Sequence, residues 1–534
     1  MADAVVIGAG PNGLVAANLL ADAGWDVLVL EEQPEPGGAV RSGETAHPGF
    51  VHDRFSSFYP LVAASKVIRS LELERHGLRL RWADAAVGHP LPDGRAAMIY
   101  WGDLDRTCAH LEALAPGDGE AFARWMGYWE QVGPPLLDAL LSPFPPLRGA
   151  ARLAGALRTP TRTGEFARLG MLPVRRFTEE EFSGEGARLL FAANALHADF
   201  APESPGGAVY GLVLVGLAQQ VGFPVPEGGA AQLTAALVRR LQAAGGRVEC
   251  GVRAEKVLLR GGRAAAVRTA DGREHAAARA VLADVGAPQL YERLVGLEHL
   301  PARVARGMRH FQYDASTVKV DWALSGPVPW SAPETADAGT VHVAESVDQL
   351  TMAMAQLASH QVPARPYLVS GQYARFDPTR QPDGAETFWG YTHVPQDVRG
   401  DAGDDDLRGR WDERERDAIA ARMEAEVERR APGFRDRIVG RNVMAPPDLE
   451  AENANLVGGA INGGTAQLHQ QLVLRPVPGL GRANTPVPGL FLASSSAHPG
   501  GGVHGACGAN AARAALRTRR PGALRRPLRA LRSS

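Results

Sequence analysis

Gly8, Gly10 and Gly13 stand between an apolar run, Ala4-Val5-Val6-Ile7, and a segment in which Leu14, Ala17 and Leu20 fall on one helical face. Glycines at that spacing permit a tight turn, close approach of the backbone to a pyrophosphate, and close packing of helix on strand. Gly10-Pro11-Asn12-Gly13 opens a helix whose amino terminus faces the phosphates. A second apolar run, Val27-Leu28-Val29-Leu30, ends at Glu31, 23 residues beyond Gly8. A carboxylate at about 20 residues accepts from ribose hydroxyls. The chemistry these residues suit is dinucleotide binding. The same glycine spacing recurs at Gly500 to Gly505, so spacing alone decides nothing. The strand before and the helix after carry the reading.

Residues 4–31 therefore read as a strand, helix, strand unit of parallel-sheet type, with Gly24 ending the helix. Residues 61–222 hold helical stretches broken by Pro134-Pro135 and by Pro143-Phe144-Pro145-Pro146, and read as an inserted lobe. After Pro226-Glu227-Gly228-Gly229 come a helix at about 230–244, three short strands near 247–252, 255–260 and 264–269, and Ala280-Val281-Leu282-Ala283-Asp284 returning as a strand to the nucleotide sheet. A second insert, about 286–480, carries alternating strand candidates at 318–322 and 388–392. Gly489-Leu490-Phe491-Leu492-Ala493 is another buried strand, ahead of a glycine-rich turn and a small-residue helix.

NAD and FAD both fit the opening unit, and later motifs separate them. Gly37-Gly38-Ala39-Val40-Arg41, Pro226-Glu227-Gly228-Gly229 with Gln232 and Leu233, and Leu490-Phe491-Leu492-Ala493-Ser494-Ser495-Ser496-Ala497-His498-Pro499-Gly500-Gly501-Gly502-Val503 stand in that order. Together they resemble the phytoene desaturase-like branch of the flavin amine oxidase superfamily. The resemblance implies an α/β fold: a Rossmann-like FAD-binding domain of the amine oxidase and dissociation-inhibitor type, made of residues 1–60, 225–290 and 480–517. An inserted α+β substrate domain takes 61–224 and 291–479, and 518–534 form a basic tail. It implies that Gly37, Gly38 and Arg41 line the pyrophosphate, that the backbone near Ala254 contacts adenine, and that Ser495, Gly501, Gly502 and Val503 lie beside the isoalloxazine. Only glycines let the chain approach a flat ring that closely. The helix that follows, 506–515, would aim its positive end at the ring's pyrimidine side.

The chain departs from the pattern at Ser494, where these families often carry glycine, and at Ser495 and Ser496, where amine oxidases carry an acid reaching the ribityl chain. A serine still hydrogen-bonds there. His498 and His504 flank the flavin turn and titrate near neutrality, so they are the candidates to assist a proton transfer. A cap on its own proline turn is the competing role for His498. His197 resembles a family segment near the substrate cavity, against the plainer reading of a core histidine. Cys507 lies outside the motif of covalently flavinylated relatives. The run 209–221 suits either a greasy tunnel or plain core, and Asp401 to Asp406 reads as a solvated loop before a helix at about 411–430.

The resemblance implies an FAD-dependent enzyme that takes a hydride from an apolar, polyene or isoprenoid-like substrate, with oxygen or a quinone as electron acceptor. The alternatives are an amine oxidase, a polyene isomerase, and a non-catalytic prenyl-binding escort protein. Net charge is -2, which gives no field to attract nucleic acid. Cys108, Cys250 and Cys507 are far apart and form neither a disulfide framework nor a thiolate metal site; no metal is expected. A strand that begins at residue 4 leaves no room for a signal peptide, and no apolar run reaches the length of about 18 residues that a membrane helix needs, so a cytoplasmic enzyme is expected. From Arg517 to Arg532 seven arginines and no acid interleave with Leu524, Leu528 and Leu531. That pattern suits docking on anionic lipid as well as a solvated tail.

Overall fold

In a computed structural model that describes residues 1–518, β1 (Ala2–Ile7), α1 (Pro11–Asp22) and β2 (Val27–Leu30) form the expected opening unit. β1 pairs in parallel with β2 on one side and with the strand Glu274–Ala283 on the other. Arg247–Glu249 extends the sheet beyond β2, and Leu490–Leu492 lies beside Glu274–Ala283, both parallel. All four residues of β2 are buried, as a parallel strand covered by helices on both faces requires. Ala254–Arg260 and Arg263–Thr269 add an antiparallel flap to the first half of Glu274–Ala283. Helix Ala506–Arg517 packs on α1 so tightly that a Cβ on Gly508 would lie 1.9 Å from the Asn12 carbonyl oxygen.

A second seven-stranded sheet is built around Ser316–Leu324 and Glu386–Val394, with Leu368–Gly371 and Ala338–Val343 beyond them. Ala85–Pro90 and Ala96–Tyr100 complete that edge. These two strands come from the stretch whose sequence reads as helical; they pair with each other, and Ala85–Pro90 pairs as well with the distant Ala338–Val343. Ser316–Leu324 is buried along its whole length. Val318, Val320 and Trp322 pack on Ile419, Met423 and Val427 of helix Glu413–Glu428, while Thr317 and Lys319 point to the opposite face and line a cavity. The helices of residues 104–221 roof that face.

Pro134 and Pro135 do not break a helix as expected. They lie inside the 24-residue helix Asp118–Leu141, which ends before Pro143 and Pro145. Nor is the acidic run at 401–406 merely solvated: Asp401 and Asp405 bind Arg422, whose side chain is 7% exposed, at 2.8 and 2.5 Å. The basic tail lies outside the described residues, save for Arg517 and Thr518 at its start. No helix among the described residues is long and apolar enough to cross a membrane.

One fully buried cation ties the parts together. Arg380 donates to Asp53 at 2.8 Å, to Asp377 at 2.7 Å and to the Pro226 carbonyl at 3.0 Å. Asp53 in turn accepts from Ser42, Ser57 and the Ala230 amide, and Asp377 from the Gly228 amide. The Pro226-Glu227-Gly228-Gly229 turn is thus held by carboxylates from two other segments. Removing one member of such a set leaves charge buried and unpaired. Arg380→Met should therefore cost about 3 to 5 kcal/mol, read as a lowered urea midpoint, whereas the surface change Arg399→Met should leave the midpoint within error.

Candidate functional site

Pro11 starts α1 where its fixed φ suits the first helical turn and its missing N–H is no loss. Gly8 has a φ of +91° and donates to the Leu30 carbonyl at 2.8 Å, and the Asp284 amide donates to the Ile7 carbonyl at 2.7 Å. The glycine turn is therefore strapped to both neighbouring strands. A Cβ on Gly13 would lie 2.2 Å from the Gly8 carbonyl oxygen, and one on Gly38 would lie 3.1 Å from the Gly10 Cα. The two glycine motifs pack backbone on backbone and leave a cradle in front of the α1 amino terminus, walled by glycine backbone with the Asp284 carboxylate at its edge. Such a cradle, with free amides and the positive end of a helix, fits a pyrophosphate.

Glu31 closes β2 as expected. It is buried, and its carboxylate accepts from the Ala9 amide at 2.7 Å and the Gln33 amide at 3.0 Å. Burial raises its pKa above the usual carboxylate range in spite of those donors. The Val252 amide donates to the Glu31 carbonyl at 2.7 Å, which brings the approach to Ala254 alongside Glu31. Arg41 is 4% exposed and donates to the Gly38 carbonyl at 3.1 Å and the Glu452 carbonyl at 2.9 Å. It thus braces the Gly37-Gly38 turn from behind.

A cavity of about 420 Å³ opens from this cradle. Gly10, Pro11, Asn12 and Gly38 line it at the cradle, and Ser495, Gly501, Gly502 and Val503 of the closing turn line it as well. The remaining candidates, Gly8, Gly13, Glu31, Gly37, Arg41 and Ala254, lie behind or beyond that wall. The far part is walled by Tyr59, Leu61, Val213, Leu214, Phe223, Trp389 and Tyr391. One face of helix Gly207–Val221 thus supplies the greasy lining that its composition allowed.

His498 and His504 are not in the lining, which departs from their expected part in proton transfer. His504 Nδ1 accepts from the Ala506 amide at 3.0 Å and so caps the last helix, and burial lowers its pKa to about 4. His498 Nε2 bonds to the Ser142 carbonyl at 3.1 Å. Cys507 is buried with its thiol pushed up to about 12, so it is no nucleophile. His197, by contrast, does line the cavity.

Three further residues carry the site's electrostatics. Asp284 reaches over the glycine turn and accepts from the Gly13 amide at 2.7 Å, and burial raises its pKa to about 7. Arg475 is fully buried beneath the closing turn. It donates to the carbonyls of Ser495, Thr465 and Asn462, each at 2.9 Å. No carboxylate among the described residues pairs with it, so it leaves a positive field there. Lys319 lines the cavity at 3% exposure, bonded to Asp321. A lone acid after an apolar strand was the only sequence signal for Asp284; Arg475 and Lys319 had none.

Residues 6–71 match the family of NAD(P)-binding Rossmann-like domains. The chain is 28% identical to a mouse (Mus musculus) pyridine nucleotide-disulfide oxidoreductase domain-containing protein 2, across 96% of this chain and 93% of that protein. It is 25% identical to a lycopene-forming phytoene desaturase of Pseudescherichia vulneris, across 97% and 99% of the two chains. Its fold matches that of a putrescine oxidase with a TM-score of 0.59 at 17% identity, over 96% of this chain and 98% of the other. With the strapped glycine turn and the closing turn on one cavity, the chain is an oxidoreductase with a Rossmann-like α/β fold, similar along its length to a phytoene desaturase and in fold to an amine oxidase.

Proposed function

We propose that the chain binds FAD and removes a hydride and a proton from a neutral apolar substrate of polyene or isoprenoid type. The observation that carries this reading is that one cavity is lined by the glycine cradle at Gly10 and Gly38, by Gly501 and Gly502, and by the aromatic and aliphatic wall at Val213, Leu214 and Trp389. FAD, when bound, supplies the hydride acceptor. The protein's part is to hold, orient and exclude water. In that reading Glu31 would hold the ribose, the α1 amino terminus the pyrophosphate, and Ser495 with the glycines of the closing turn the ring. Arg475 and the amino terminus of helix Ala506–Arg517 bias that region toward negative charge.

Asp284 is the only carboxylate among the described residues lining the cavity, and it sits at the glycine turn rather than at the apolar end. Lys319 near that end is already paired with Asp321. A positively charged amine would find no carboxylate in the lining at that end among the described residues, which favours a neutral substrate over an amine. Oxygen or a quinone remains the proposed electron acceptor, with the protein outside any bilayer and at most peripheral to it.

The reading is tested by denaturing the purified holoprotein and identifying the released flavin, then mixing the holoprotein anaerobically with phytoene or a shorter polyene in detergent. Release of FAD and bleaching of its absorbance by the polyene, but not by putrescine, is the expected result; bleaching by putrescine alone would make it an amine oxidase.

Asp284 bears on cofactor retention. Its folded pKa lies above the ordinary value, so the protonated form dominates below about pH 7. A neutral carboxyl donates to a phosphate, whereas an ionised one repels it. The favourable contribution is therefore present at low pH and lost as pH rises through about 7. FAD affinity should fall by up to about tenfold per pH unit above that point, and Asp284→Asn should flatten the profile, as measured by flavin fluorescence on dilution.

Arg475→Met should make the bound flavin harder to reduce, because an uncompensated buried cation favours the electron-rich form. A fall of about 30 mV, equal to about 1.4 kcal/mol for two electrons, is expected in dye-coupled reduction. An unchanged potential would show that Arg475 only braces the turn.

A further inference from the structure

On the second sheet, His342, Val369, Tyr391 and Lys319 lie directly opposite one another across four neighbouring strands. Opposed residues project to the same side of a sheet. Val369, Tyr391 and Lys319 line the cavity, so His342 shares that face. His197, itself in the lining, arrives from the end of helix Glu185–Ala195 and sets its Nε2 2.6 Å from Nε2 of His342. Their rings meet edge to face at 4.9 Å. The hydroxyls of Thr317 and Thr340, also in the lining, have no partner among the described residues. A cavity otherwise apolar at this end thus carries a polar strip.

Both imidazoles are neutral, since burial holds their pKa values far below the ordinary one. Two neutral rings sharing one Nε2 to Nε2 bond have two arrangements. If His197 donated, Nδ1 of His342 would carry a proton, yet that atom is buried without a partner. A buried N–H without an acceptor is the rarer and costlier state. The geometry therefore selects the other arrangement, in which His342 Nε2–H donates and His342 Nδ1 is a bare lone pair. His197 Nε2 then accepts, and its Nδ1 must carry the proton. That Nδ1–H makes no hydrogen bond among the described residues, and the ring lines the cavity.

We infer that His197 presents a fixed N–H donor to the substrate, and that the preferred substrate is an apolar chain ending in, or bearing, a neutral oxygen acceptor such as a hydroxyl or ketone. This rests on the proposed apolar-substrate reading. His197 acts here as a specificity residue, and His342 as the positioning residue that sets its tautomer. Thr340, two residues from His342 on the same strand and face, offers a second hydrogen bond to the same oxygen.

The test measures binding by quenching of tryptophan fluorescence in the holoprotein, with no turnover required. The probes are geranylgeraniol, the corresponding methyl ketone, and the hydrocarbon lacking oxygen. The alcohol and the ketone are expected to bind about 5- to 10-fold more tightly than the hydrocarbon, the yield of one neutral hydrogen bond. His197→Phe should erase that preference and leave hydrocarbon affinity unchanged. His342→Phe frees the tautomer of His197, so it should weaken the ketone, which only accepts, more than the alcohol, which also donates. That second variant serves if His197→Phe fails to fold. Equal binding of all three probes by the parent, or a preference that survives His197→Phe, overturns the inference while leaving the apolar-substrate reading intact. Failure of every probe to bind overturns that reading and the inference with it.

Discussion

The guanidinium of Arg380 is the charge on which the rest of the architecture turns. It has no exposure, and neither do Asp53 and Asp377. Desolvating three charged groups yields little net stability, because the Coulomb gain is spent on dehydration. What it yields is register. Asp53 ends a short strand that leads straight into the cavity wall at residues 55–61; Asp377 belongs to the second sheet's connections; the Pro226 carbonyl and the Gly228 and Ala230 amides belong to the turn before helix Ala231–Ala243. Any slippage among the three segments leaves a charge stranded. Tyr373 carries the constraint onward, since its ring lies under Arg380 at 4.0 Å and its hydroxyl accepts from Trp389 at 2.6 Å. Trp389 is cavity wall. The shape of the substrate end is set in this way by an ion cluster that never touches substrate.

At the cofactor end the constraint is steric. Gly13 against Gly8 and Gly508 against Asn12 are contacts that no Cβ would permit, and Gly38 against Gly10 is one that a Cβ would crowd. Two helices and two loops converge there on backbone alone, which leaves amides and helix ends as the chemistry of the cradle. Asp284 is the one acid in the lining among the described residues, and burial raises its pKa to about 7. Arg475 complements it on the other side of the closing turn as a cation satisfied by carbonyls alone.

Much of this frame was legible in the sequence because its signals are local. The strand and helix unit at 4–31, the return strand ending at Ala283, the strand at 490–492 and the helix after Gly505 are short patterns that tolerate little variation, and they stand where they were expected. Less local features were not legible. Ala85–Pro90 and Ala96–Tyr100 are buried on both faces, so they show none of the alternation that marks a half-buried strand. Pro134 and Pro135 read as breakers, yet the helix Asp118–Leu141 runs through them, because packing in the roof outweighs local preference. The histidines nearest the flavin motif drew attention by position, but His504 is spent on a helix cap. His342, 145 residues from His197 in sequence, could be found only once the sheet set them side by side.

The interlocking of α1 with helix Ala506–Arg517 also bears on the timing of cofactor loading. The cradle's first wall, at Gly8 to Gly13, is made well before its last, at Gly501 to Gly508, which follows almost the whole of the intervening chain. At ordinary elongation rates about 500 residues take roughly 25 to 100 s to make. Through that interval the nascent chain can form β1, α1 and β2 but has no complete pocket, and β1 lacks the neighbour, Glu274–Ala283, that covers its other edge. Filling of the cavity therefore waits until the closing turn has been made, and an exposed parallel strand edge is what the chain must until then keep from pairing wrongly.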